Sequence, residues 1–582
     1  MTISSSFIRK LFLCCLLALT SNCSKAPGGE VADVLLTGAK VYTFVWDEPT
    51  VDGATAKNAP RQTAGWRPDA EAIAIKGDRI IFVGSASEAE KHRGSQTQVV
   101  DLKGATIIPG LVDSHTHVAG LGERQSQVDL TGVNTEAEAI EKVVAFAAKV
   151  PAGEWIIGQG WDEGAWAANY PTMKGLSERA PNHPVYLASL HGFAGWGNRL
   201  AFERAGITRT TAAPVGGQIV KDANGEPTGI LLNRAVTLLS SKVPPTTDEQ
   251  FKSFVLAGLE QMARDGYVAV HEAGVDSRLM KAFESLETES KLPVRVYAML
   301  SARDAELCRA WLKRGPKLDG KLVVRSVKAY YDAALGSRGA RLLADYSDKP
   351  GHRGISGAGY GFDQQLVAEM MKAGFQVGIH AIGDAGNRET LNFIEKVIAE
   401  QPSVKNNRNR IEHAQVIHPD DFARFAKLEV IASMEPPHCV EDKTWAEERL
   451  GADRVKGAYA WRTLRKAGAR LIFNSDLTGS DHSIFYGLHA ATTRRDKQLQ
   501  PMGGWFHEER LTAEESVRAY TVWNAFAAFG EKETGVIAAG RWADLTAMDI
   551  DPLEVGTNNP ALLLRGKIKL TMVGGRIVFT QN

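Results

Sequence analysis

The sequence predicts an α/β fold, a (β/α)8 barrel accompanied by a smaller β-rich domain, and three features indicate it. The middle of the chain repeats a unit of helix, glycine, apolar strand and polar residue, which is typical of parallel strands connected by helices. Short runs rich in Val and Ile, punctuated by Gly and Asp, occupy both ends of the chain and are typical of β-strands. The chain has 582 residues, enough for more than one domain and a large buried core.

The repeating unit is clearest in "TDEQFKSFVLAGLEQMARDGYVAVHEAG". Thr247 and Gln250 have the spacing of a capping box, which marks the start of a helix. Apolar side chains recur on one face of that helix, at Phe251, Val255, Leu259 and Met262. Gly266 ends the helix, and "YVAV" has the pattern of a buried strand. The unit recurs in "LVAEMMKAGFQVGIHAIGD", "FARFAKLEVIASMEPPH" and "LRKAGARLIFNSD". An open doubly wound sheet is the alternative, although no GxGxxG motif follows an early strand.

The β-rich ends predict one small domain assembled from residues 30–108 and 535–582, with two separate β-appendages as the alternative. Residues 109–534 are assigned to the barrel. The helix–strand rhythm breaks between about 145 and 245, where "GEWIIGQGWDEGAW" is rich in aromatic residues and glycine. Within this segment, "GGQIVKDANGEPTGILL" has the pattern of a hairpin around Asn224-Gly225. We expect the segment to form an insertion over the barrel.

The N-terminus has the pattern of a targeting segment. Arg9 and Lys10 precede the short apolar run "LFLCCLLALTSNC", which has the length of a secretory signal and is too short for a permanent transmembrane helix. We expect residues 1–22 to be a signal peptide. Cys23 ends the run and resembles the lipidated cysteine of a bacterial lipoprotein. The expected location is the bacterial cell envelope, either as an outer-membrane lipoprotein anchored at Cys23 or as a soluble periplasmic product.

The amino-acid composition argues against nucleic acid as a binding partner. The chain is 44% hydrophobic and 23% charged, with 68 basic and 68 acidic residues, so it lacks the basic excess of a nucleic-acid-binding protein. A small-molecule substrate is the expected partner. Beyond Cys23 only Cys308 and Cys439 remain, and we expect two buried thiols, with a single bridge as the alternative. No CxxC motif indicates a thiolate metal site.

Polar residues close several of the predicted barrel strands. His115 and His117 follow the apolar run in "GLVDSHTH", and a spacing of two places both rings on one side of a strand. Further polar strand ends are Lys328 in "LVVRSVKAYYD", His380 in "FQVGIH", His413 in "RNRIEH" and Asp476 in "RLIFNSD". Each has a structural alternative: a hydrogen-bonded core histidine, an ion-paired lysine or a helix-capping aspartate. Because barrel enzymes gather their chemistry at this face, the joint pattern favours one site. Imidazole and carboxylate ligands suit Zn²⁺ and related divalent ions.

These motifs identify a resemblance. "GLVDSHTH", "VKAYYDAALGSRGA", "GIHAIGDAGN", "RIEHAQ" and "NSD" resemble the amidohydrolase superfamily. "WIIGQGWDEGAW", "KDANGEPTG" and "GRWADLTAMDIDP" are similar to the branch that includes N-substituted formamide deformylase. The resemblance implies a distorted (β/α)8 barrel with a β-sandwich built from both chain ends. It also implies a metal-dependent hydrolase that cleaves an amide or other non-peptide C–N bond.

By the same resemblance, one or two divalent ions, expected to be Zn²⁺, bind at the strand ends. His115, His117 and Asp476 would hold the first ion, and His380 and His413 the second. Lys328 matches the lysine of the fourth strand that carries a carbamate and bridges two metals. Asp476 would accept the proton of the attacking water and pass it to the departing nitrogen. No GxSxG motif indicates a serine nucleophile.

The substrate pocket is less defined by the sequence. Residues expected at the pocket or its rim are Trp161, Asp162, Glu163, His191, Asp332, Arg338 and His438. The first three have an aromatic-stabilised loop as their alternative, and Asp332 and Arg338 either orient substrate or pair with each other. Departures from the family pattern at "LHGFAGWGN" and at Glu435 leave the inherited substrate in doubt. An esterase or lactonase using the same metals and a non-catalytic envelope binding protein are the alternative functions.

Overall fold

Eight parallel strands form the central sheet of the protein. The structure is a computed structural model that describes residues 30–63, 65–162, 170–189 and 192–581. The expected signal peptide, Cys23, Glu163 and His191 lie outside the described residues. In chain order, the strands are Leu111–Thr116, Tyr267–Val275, Arg295–Ser301, Leu322–Tyr330, Gln376–Ala381, Arg410–His413, Ile431–Met434 and Arg470–Phe473. Each pairs in parallel with the next, and they are called barrel strands 1 to 8.

Barrel strand 8 returns to the side of barrel strand 1. The Ser114 hydroxyl donates to the Phe473 carbonyl at 3.0 Å, and Thr116 forms a parallel bridge with Leu477. Asn524 spans the same seam, because its amide donates to Val112 O at 2.8 Å and to Phe473 O at 3.0 Å. The sheet is therefore a nearly closed TIM-like barrel, and the open doubly wound alternative is wrong.

Helices alternate with the barrel strands. They are Val118–Gln125, Asp248–Arg264, Ser277–Thr288, Ala305–Arg314, Gln364–Lys372, Asp384–Glu400, Phe422–Leu428, Pro436–Asp442, Ala446–Arg454, Trp461–Lys466, Ile484–Thr493, Ala513–Ala519 and Val522–Ala527. The capping box is confirmed, since the Thr247 and Gln250 side chains each accept from the other's backbone N–H. The helix ends at Arg264, just before Gly266, which has a φ of 94°.

Two glycines bring the helix after barrel strand 1 against the helix before barrel strand 2. A Cβ on Gly122 would overlap the Phe254 carbonyl, and a Cβ on Gly258 would overlap the Val118 carbonyl. The backbones of Val118–Gln125 and Asp248–Arg264 therefore touch directly. Because His117 immediately precedes the first of these helices, this contact fixes the end of barrel strand 1.

A separate six-stranded sheet lies between barrel strands 1 and 2 in the sequence. Its order is Val128–Asp129, Ile156–Trp161, Val185–Ser189, Ala194–Gly197, Pro227–Asn233 and Gly217–Lys221. The helices Glu136–Ala147, Met173–Arg179, Arg199–Ala205 and Thr237–Ser240 accompany it. The predicted hairpin around Asn224-Gly225 is confirmed, because Gly217–Lys221 and Pro227–Asn233 pair antiparallel.

Strands from both ends of the chain belong to one sheet. Its order is Lys40–Val41, Thr106–Pro109, Leu545–Met548, Ile568–Val573 and Arg576–Thr580. A four-stranded sheet adjoins it, in the order Arg79–Gly84, Ala72–Lys76, Val34–Thr37 and Gln98–Asp101. Ile73 of the second sheet and Ile107 and Leu545 of the first belong to one buried apolar cluster. Short elements complete this region: Arg61–Gln62, Gly65–Trp66, Ala86–Ala89 and Pro552–Asn558.

Cys308 and Cys439 are free, buried thiols, so the expectation of two thiols is confirmed and the bridge is not formed. Across the described part of the chain, every helix is too short or too polar to cross a membrane.

Candidate metal centre

Two predicted ligands lie side by side at the end of barrel strand 1. The ring centroids of His115 and His117 are 5.5 Å apart. Asp476, which follows barrel strand 8, places Oδ1 3.6 Å from His115 Nε2 and 3.3 Å from His117 Nε2. The ligand atoms of these three residues are close enough together to hold one metal ion.

Lys328 joins this group from barrel strand 4. Its Nζ lies 3.0 Å from His115 Nε2, and the residue is 1% exposed. Burial lowers the pKa of Lys328 to about 8, although the nearby Glu412 and Asp476 carboxylates oppose the shift. A fraction of the side chain is therefore the neutral amine near neutral pH, which is the form that reacts with CO₂.

His380 and His413 form a second pair at the ends of barrel strands 5 and 6. Their ring centroids are 4.4 Å apart, and His413 is 5.3 Å from His115, so the two pairs adjoin. His413, His438 and Asp476 form a second group whose ligand atoms could hold a metal ion. Asp476 thus belongs to both groups.

An unusual backbone conformation lets neighbouring residues serve the same site. A regular strand would direct Glu412 and His413 to opposite faces. His413 instead has a φ of 72° and Asp476 a φ of 49°, a left-handed conformation that is uncommon outside glycine and concentrates at functional sites. The turn at His413 allows both Glu412 and His413 to contact the histidine cluster.

Two carboxylates contact the Nδ1 atoms of two of the histidines. Glu412 Oε2 lies 2.7 Å from His115 Nδ1, and Glu435 Oε2 lies 3.1 Å from His413 Nδ1. Burial raises the pKa of each carboxyl, but Arg410 and His115 hold Glu412 well below its ordinary pKa, and His413 lowers that of Glu435. An ionised carboxylate only accepts hydrogen bonds, so each Nδ1 carries the proton. The low pKa of His115 leaves a lone pair on its Nε2, whereas Glu435 raises the pKa of His413, whose Nε2 carries a lone pair in the neutral ring. The arrangement is that of carboxylate–histidine–metal triads.

The charge states suit a divalent cation. Burial lowers the pKa of His115 to about 4 and that of His380 well below its ordinary value, so both rings are neutral. Burial also raises the pKa of Asp476, but the four surrounding histidines outweigh it and hold the carboxyl well below its ordinary pKa. Neutral imidazoles beside an ionised carboxylate are the donor set that Zn²⁺ and similar ions prefer.

His380 provides a direct test of the fit. Its Nε2 is buried and makes no hydrogen bond to any residue that the structure describes. Asp332 Oδ1 is 3.7 Å away, too far for a hydrogen bond. Buried polar atoms are rarely left without a partner, and a metal ion would supply one here. The residues present therefore fit the cofactor.

Several residues behind the centre were not singled out from the sequence. Arg410 Nη2 donates to Glu412 Oε2 at 2.9 Å and to Ser114 O at 2.7 Å, while Nη1 lies 3.0 Å from His271 Nδ1. His271 is therefore a buried partner of Arg410. Arg410 and Glu412 are two positions apart on the strand Arg410–His413, and two charged residues with the period of a strand face were the available signal.

A second buried carboxylate supports the end of barrel strand 1. Glu272 accepts from the Thr116 hydroxyl at 2.8 Å and from the Val118 backbone at 3.1 Å. Burial raises the pKa of Glu272 to about 7. Glu272 thus binds the residues on either side of His117, and it fixes the end of the strand at this predicted ligand.

The pocket residues predicted from the barrel segment have different surroundings. His438 stacks on His413 with centroids 6.3 Å apart. Asp332 accepts from the backbone N–H groups of Arg341, Ile382 and Gly383, each at 2.9 Å. Arg338 pairs with Asp348 at 2.6 Å, so the alternative in which Asp332 and Arg338 pair with each other is wrong.

Trp161 and Asp162, two pocket candidates of the insertion, lie at the end of one strand of its six-stranded sheet. Trp161 is fully buried in the apolar cluster of the six-stranded sheet, and its Nε1 donates to Leu187 O at 3.0 Å. Asp162 follows at the end of that strand and is partly exposed. A cavity of about 660 Å³ separates the insertion from the helix Val118–Gln125, lined by Leu121, Gln125, Val128, Gln159 and Ser189 among others.

The fold and this donor set together define a metal-dependent hydrolase of the barrel type. Residues 98–579 match the family described as "Amidohydrolase family", and the chain belongs to that family. It is 32% identical over 520 residues to amidohydrolase YtcJ of Bacillus subtilis (strain 168), covering 88% of this chain and 96% of that protein. It is 26% identical over 510 residues to N-substituted formamide deformylase of Arthrobacter pascens, covering 84% and 91%.

Solved structures support the fold. An uncharacterised metal-dependent hydrolase from Pyrococcus furiosus superposes with a TM-score of 0.67 at 24% identity, over 89% of this chain and 99% of that one. The similarity in sequence to this neighbour is low, and the comparison therefore supports the barrel architecture alone.

Proposed function

We propose that the protein hydrolyses an amide or another non-peptide C–N bond of a small molecule. The observation that carries this proposal is the cluster in which His115 and His413 each place Nδ1 against a buried carboxylate, Glu412 and Glu435, beside the ionised Asp476. Such a set is assembled to bind a divalent cation rather than to stabilise the barrel, since uncompensated polar groups in a core cost stability. The likeness to a formamide deformylase supports the choice of a C–N bond.

The proposed cofactor is one or two divalent ions, with Zn²⁺ as the first choice. His115, His117 and Asp476 would hold one ion, and His380 and His413 a second. When bound, the cofactor supplies Lewis acidity toward the scissile carbonyl and lowers the pKa of water. Lys328 would react with CO₂ as the neutral amine, lose one proton and become a carbamate that contributes two further oxygen ligands.

Asp476 is the proposed proton carrier. Its side chain is 20% exposed, whereas Glu412 is fully buried, so Asp476 is the carboxylate that substrate and water can reach. The histidines keep it ionised, which is the form that accepts a proton. It would take the proton of the attacking water and deliver it to the departing nitrogen. Both transfers fall to one residue, and no covalent intermediate with the chain is needed.

The test combines metal content with turnover. We expect one or two divalent ions per chain in protein purified without chelator, and hydrolysis of members of a panel of simple amides and formamides. His115→Ala and His380→Ala should lose metal and activity, whereas His507→Ala, at an exposed histidine, should keep both. Turnover of esters or lactones but not amides would replace the proposed reaction. Protein that binds no metal after incubation with Zn²⁺ and bicarbonate would favour the non-catalytic alternative.

We also propose that the protein is exported and anchored by a lipid at Cys23. The basic and apolar N-terminal pattern supports this proposal. Fractionation of expressing cells should place the wild-type protein in the envelope. Cys23→Ser should release it into the periplasm or leave its signal segment uncleaved, and a wild-type protein found with residues 1–22 attached in the cytoplasm would contradict export.

A further inference from the structure

Arg303 is an exposed arginine at the mouth of the barrel, with no anionic partner among the residues that the structure describes. Arg303 follows barrel strand 3, and Ser301 of that strand is in register with Lys328. The Ala302 backbone N–H donates to Lys328 O at 2.9 Å. Arg303 is therefore the second residue of this loop beyond the level of Lys328, at the end of the strands where the predicted ligands lie.

Two tyrosines hold the guanidinium group in place. The Arg303 Cζ lies 3.9 Å from the centroid of the Tyr330 ring and 5.4 Å from that of Tyr360. Stacking on aromatic faces leaves the edge of a guanidinium free to donate. The two rings thus orient the group, and its N–H donors make no hydrogen bond within the part of the chain that the structure describes.

The Tyr330 ring connects this arginine to the candidate metal centre. Lys328 Nζ lies 5.1 Å from the Tyr330 centroid, and the His380 ring is 5.9 Å from it. A Cβ on Gly274 would lie 3.0 Å from the Tyr330 hydroxyl, so the ring extends across the mouth toward barrel strand 2. Arg303 therefore lies about one tyrosine ring from the centre.

Arg303 differs from other cations of the loops on this face, which pair with carboxylates. Within the described ranges, no carboxylate oxygen lies within the 4.0 Å salt-bridge distance of its guanidinium. The adjacent Asp304 is occupied elsewhere, because it accepts from Leu307 N at 3.0 Å and Ser277 N at 2.9 Å. By comparison, Arg338 pairs with Asp348 at 2.6 Å and Lys443 with Asp496 at 2.7 Å.

We infer that Arg303 binds a carboxylate of the substrate, so that the preferred substrates are amides bearing an acid group a few bonds from the scissile C–N bond. This inference rests on the proposed hydrolysis of a C–N bond. A planar guanidinium matches a carboxylate with two parallel N–H···O bonds. The short span between Arg303 and the centre limits the number of bonds between the carboxylate and the scissile carbonyl. N-acyl amino acids have this chemistry on the amine side, and monoamides of small dicarboxylic acids have it on the acyl side.

The experiment compares substrates that carry a carboxylate with neutral analogues of the same size. N-acetyl and N-formyl amino acids are assayed beside the matching N-acyl amino alcohols, in which a hydroxymethyl group replaces the carboxylate. Dicarboxylic monoamides form a second arm, which separates the amine side from the acyl side. Isothermal titration with the free amino acid, the amino alcohol and the dicarboxylic acid measures binding without turnover, on the metal-loaded protein.

Arg303→Ala is expected to reduce kcat/KM and binding for the acids by about 10- to 100-fold, the loss of a charge-assisted hydrogen-bonded pair. For the neutral analogues, kcat/KM and binding should change by less than about threefold, within the scatter of a surface substitution. Arg303→Lys should fall between, because it keeps the charge and loses the planar fork. Arg309→Ala removes an exposed arginine from the helix that follows the same strand and should leave both classes unchanged.

Two failures can be told apart. If amides are hydrolysed but Arg303→Ala affects acids and neutral partners equally, or affects neither, the inference is overturned and the proposed function stands. If no amide is hydrolysed, the proposed function fails, and titration still tests Arg303. Carboxylate binding that is weakened by Arg303→Ala would then support the inference, and binding equal in the two proteins would overturn it.

Discussion

Glu412 Oε2 lies 2.7 Å from His115 Nδ1, across the barrel from strand 6 to strand 1. The same oxygen accepts from Arg410 Nη2 at 2.9 Å. All three side chains are almost fully buried. One carboxylate thus neutralises a buried arginine and fixes the tautomer of a candidate metal ligand, so it couples the stability of the barrel to the state of the site.

Glu412→Gln is therefore expected to affect both properties. The amide oxygen still accepts one hydrogen bond, but Arg410 is left as a buried charge without its counter-ion, which costs about 3–5 kcal/mol. Loss of the carboxylate behind His115 should weaken metal binding by about 10- to 100-fold. Thermal unfolding and Zn²⁺ titration measure the two effects. Glu429→Gln, at an exposed glutamate before barrel strand 7, is the control, and an unchanged unfolding temperature in Glu412→Gln would contradict the argument.

The contact between Gly122 and Gly258 leads to a second prediction. Gly258→Ala places a methyl group against the Val118 carbonyl, and the helix Val118–Gln125 must move. Overpacking of this kind costs about 1–3 kcal/mol. Because His117 immediately precedes that helix, metal affinity should fall together with the unfolding temperature. Gly503→Ala, where a Cβ has open space, should change neither. A destabilised Gly258→Ala protein with wild-type metal affinity would show that His117 is positioned independently of the helix.

Glu272 predicts a pH dependence of stability. Burial raises its pKa from 4.5 to about 7 in the folded protein, so the native state binds a proton that the unfolded state does not bind between these values. Protonation of Glu272 therefore stabilises the fold as the pH falls from about 7 to 4.5, and its ionisation opposes folding above pH 7.

Glu272→Gln removes that ionisation. At pH 8 the unfolding temperature of the variant should exceed that of wild type by more than it does at pH 5. For a pKa shift of this size, the change corresponds to as much as about 3 kcal/mol in the free energy of unfolding. Thermal unfolding of both proteins at the two pH values measures the difference, and other titrating groups cancel in the comparison. A gap between the two proteins that is the same at pH 5 and pH 8 would show that Glu272 does not titrate as its burial requires.

The sequence was informative where local pattern decides structure. The helix–glycine–strand unit predicted the parallel barrel, and the capping box at Thr247 and Gln250 is present. The polar ends of the strands meet because parallel strands share one C-terminal edge, and so His115 and His413, nearly 300 positions apart, come to lie with ring centroids 5.3 Å apart.

The sequence pattern did not predict which side chains contact each other across the fold. Asp332 caps three backbone N–H groups from two loops, and Arg338 selects Asp348 instead of Asp332. Trp161 belongs to the apolar cluster of the insertion, although its neighbours in sequence are polar and glycine-rich. Each of these outcomes depends on which loops pack together, a tertiary property that the period of one strand or helix does not encode.

Lys328 carries the last prediction. If it forms a carbamate, protein equilibrated with ¹³C-bicarbonate should show one carbamate carbon in its NMR spectrum, and the signal should grow as the pH rises through about 8, because only the neutral amine reacts. Lys328→Met keeps most of the apolar stem and should lack the signal, bind fewer metal ions and lose activity on the order of 100-fold or more, as for a lost ligand. Lys321→Met, at a partly buried lysine immediately before the same strand, is the matched control. A carbamate signal that persists in Lys328→Met would assign the modification to another lysine, whereas full metal content in that variant would show that the two ions, if both bind, are held without a bridging carbamate.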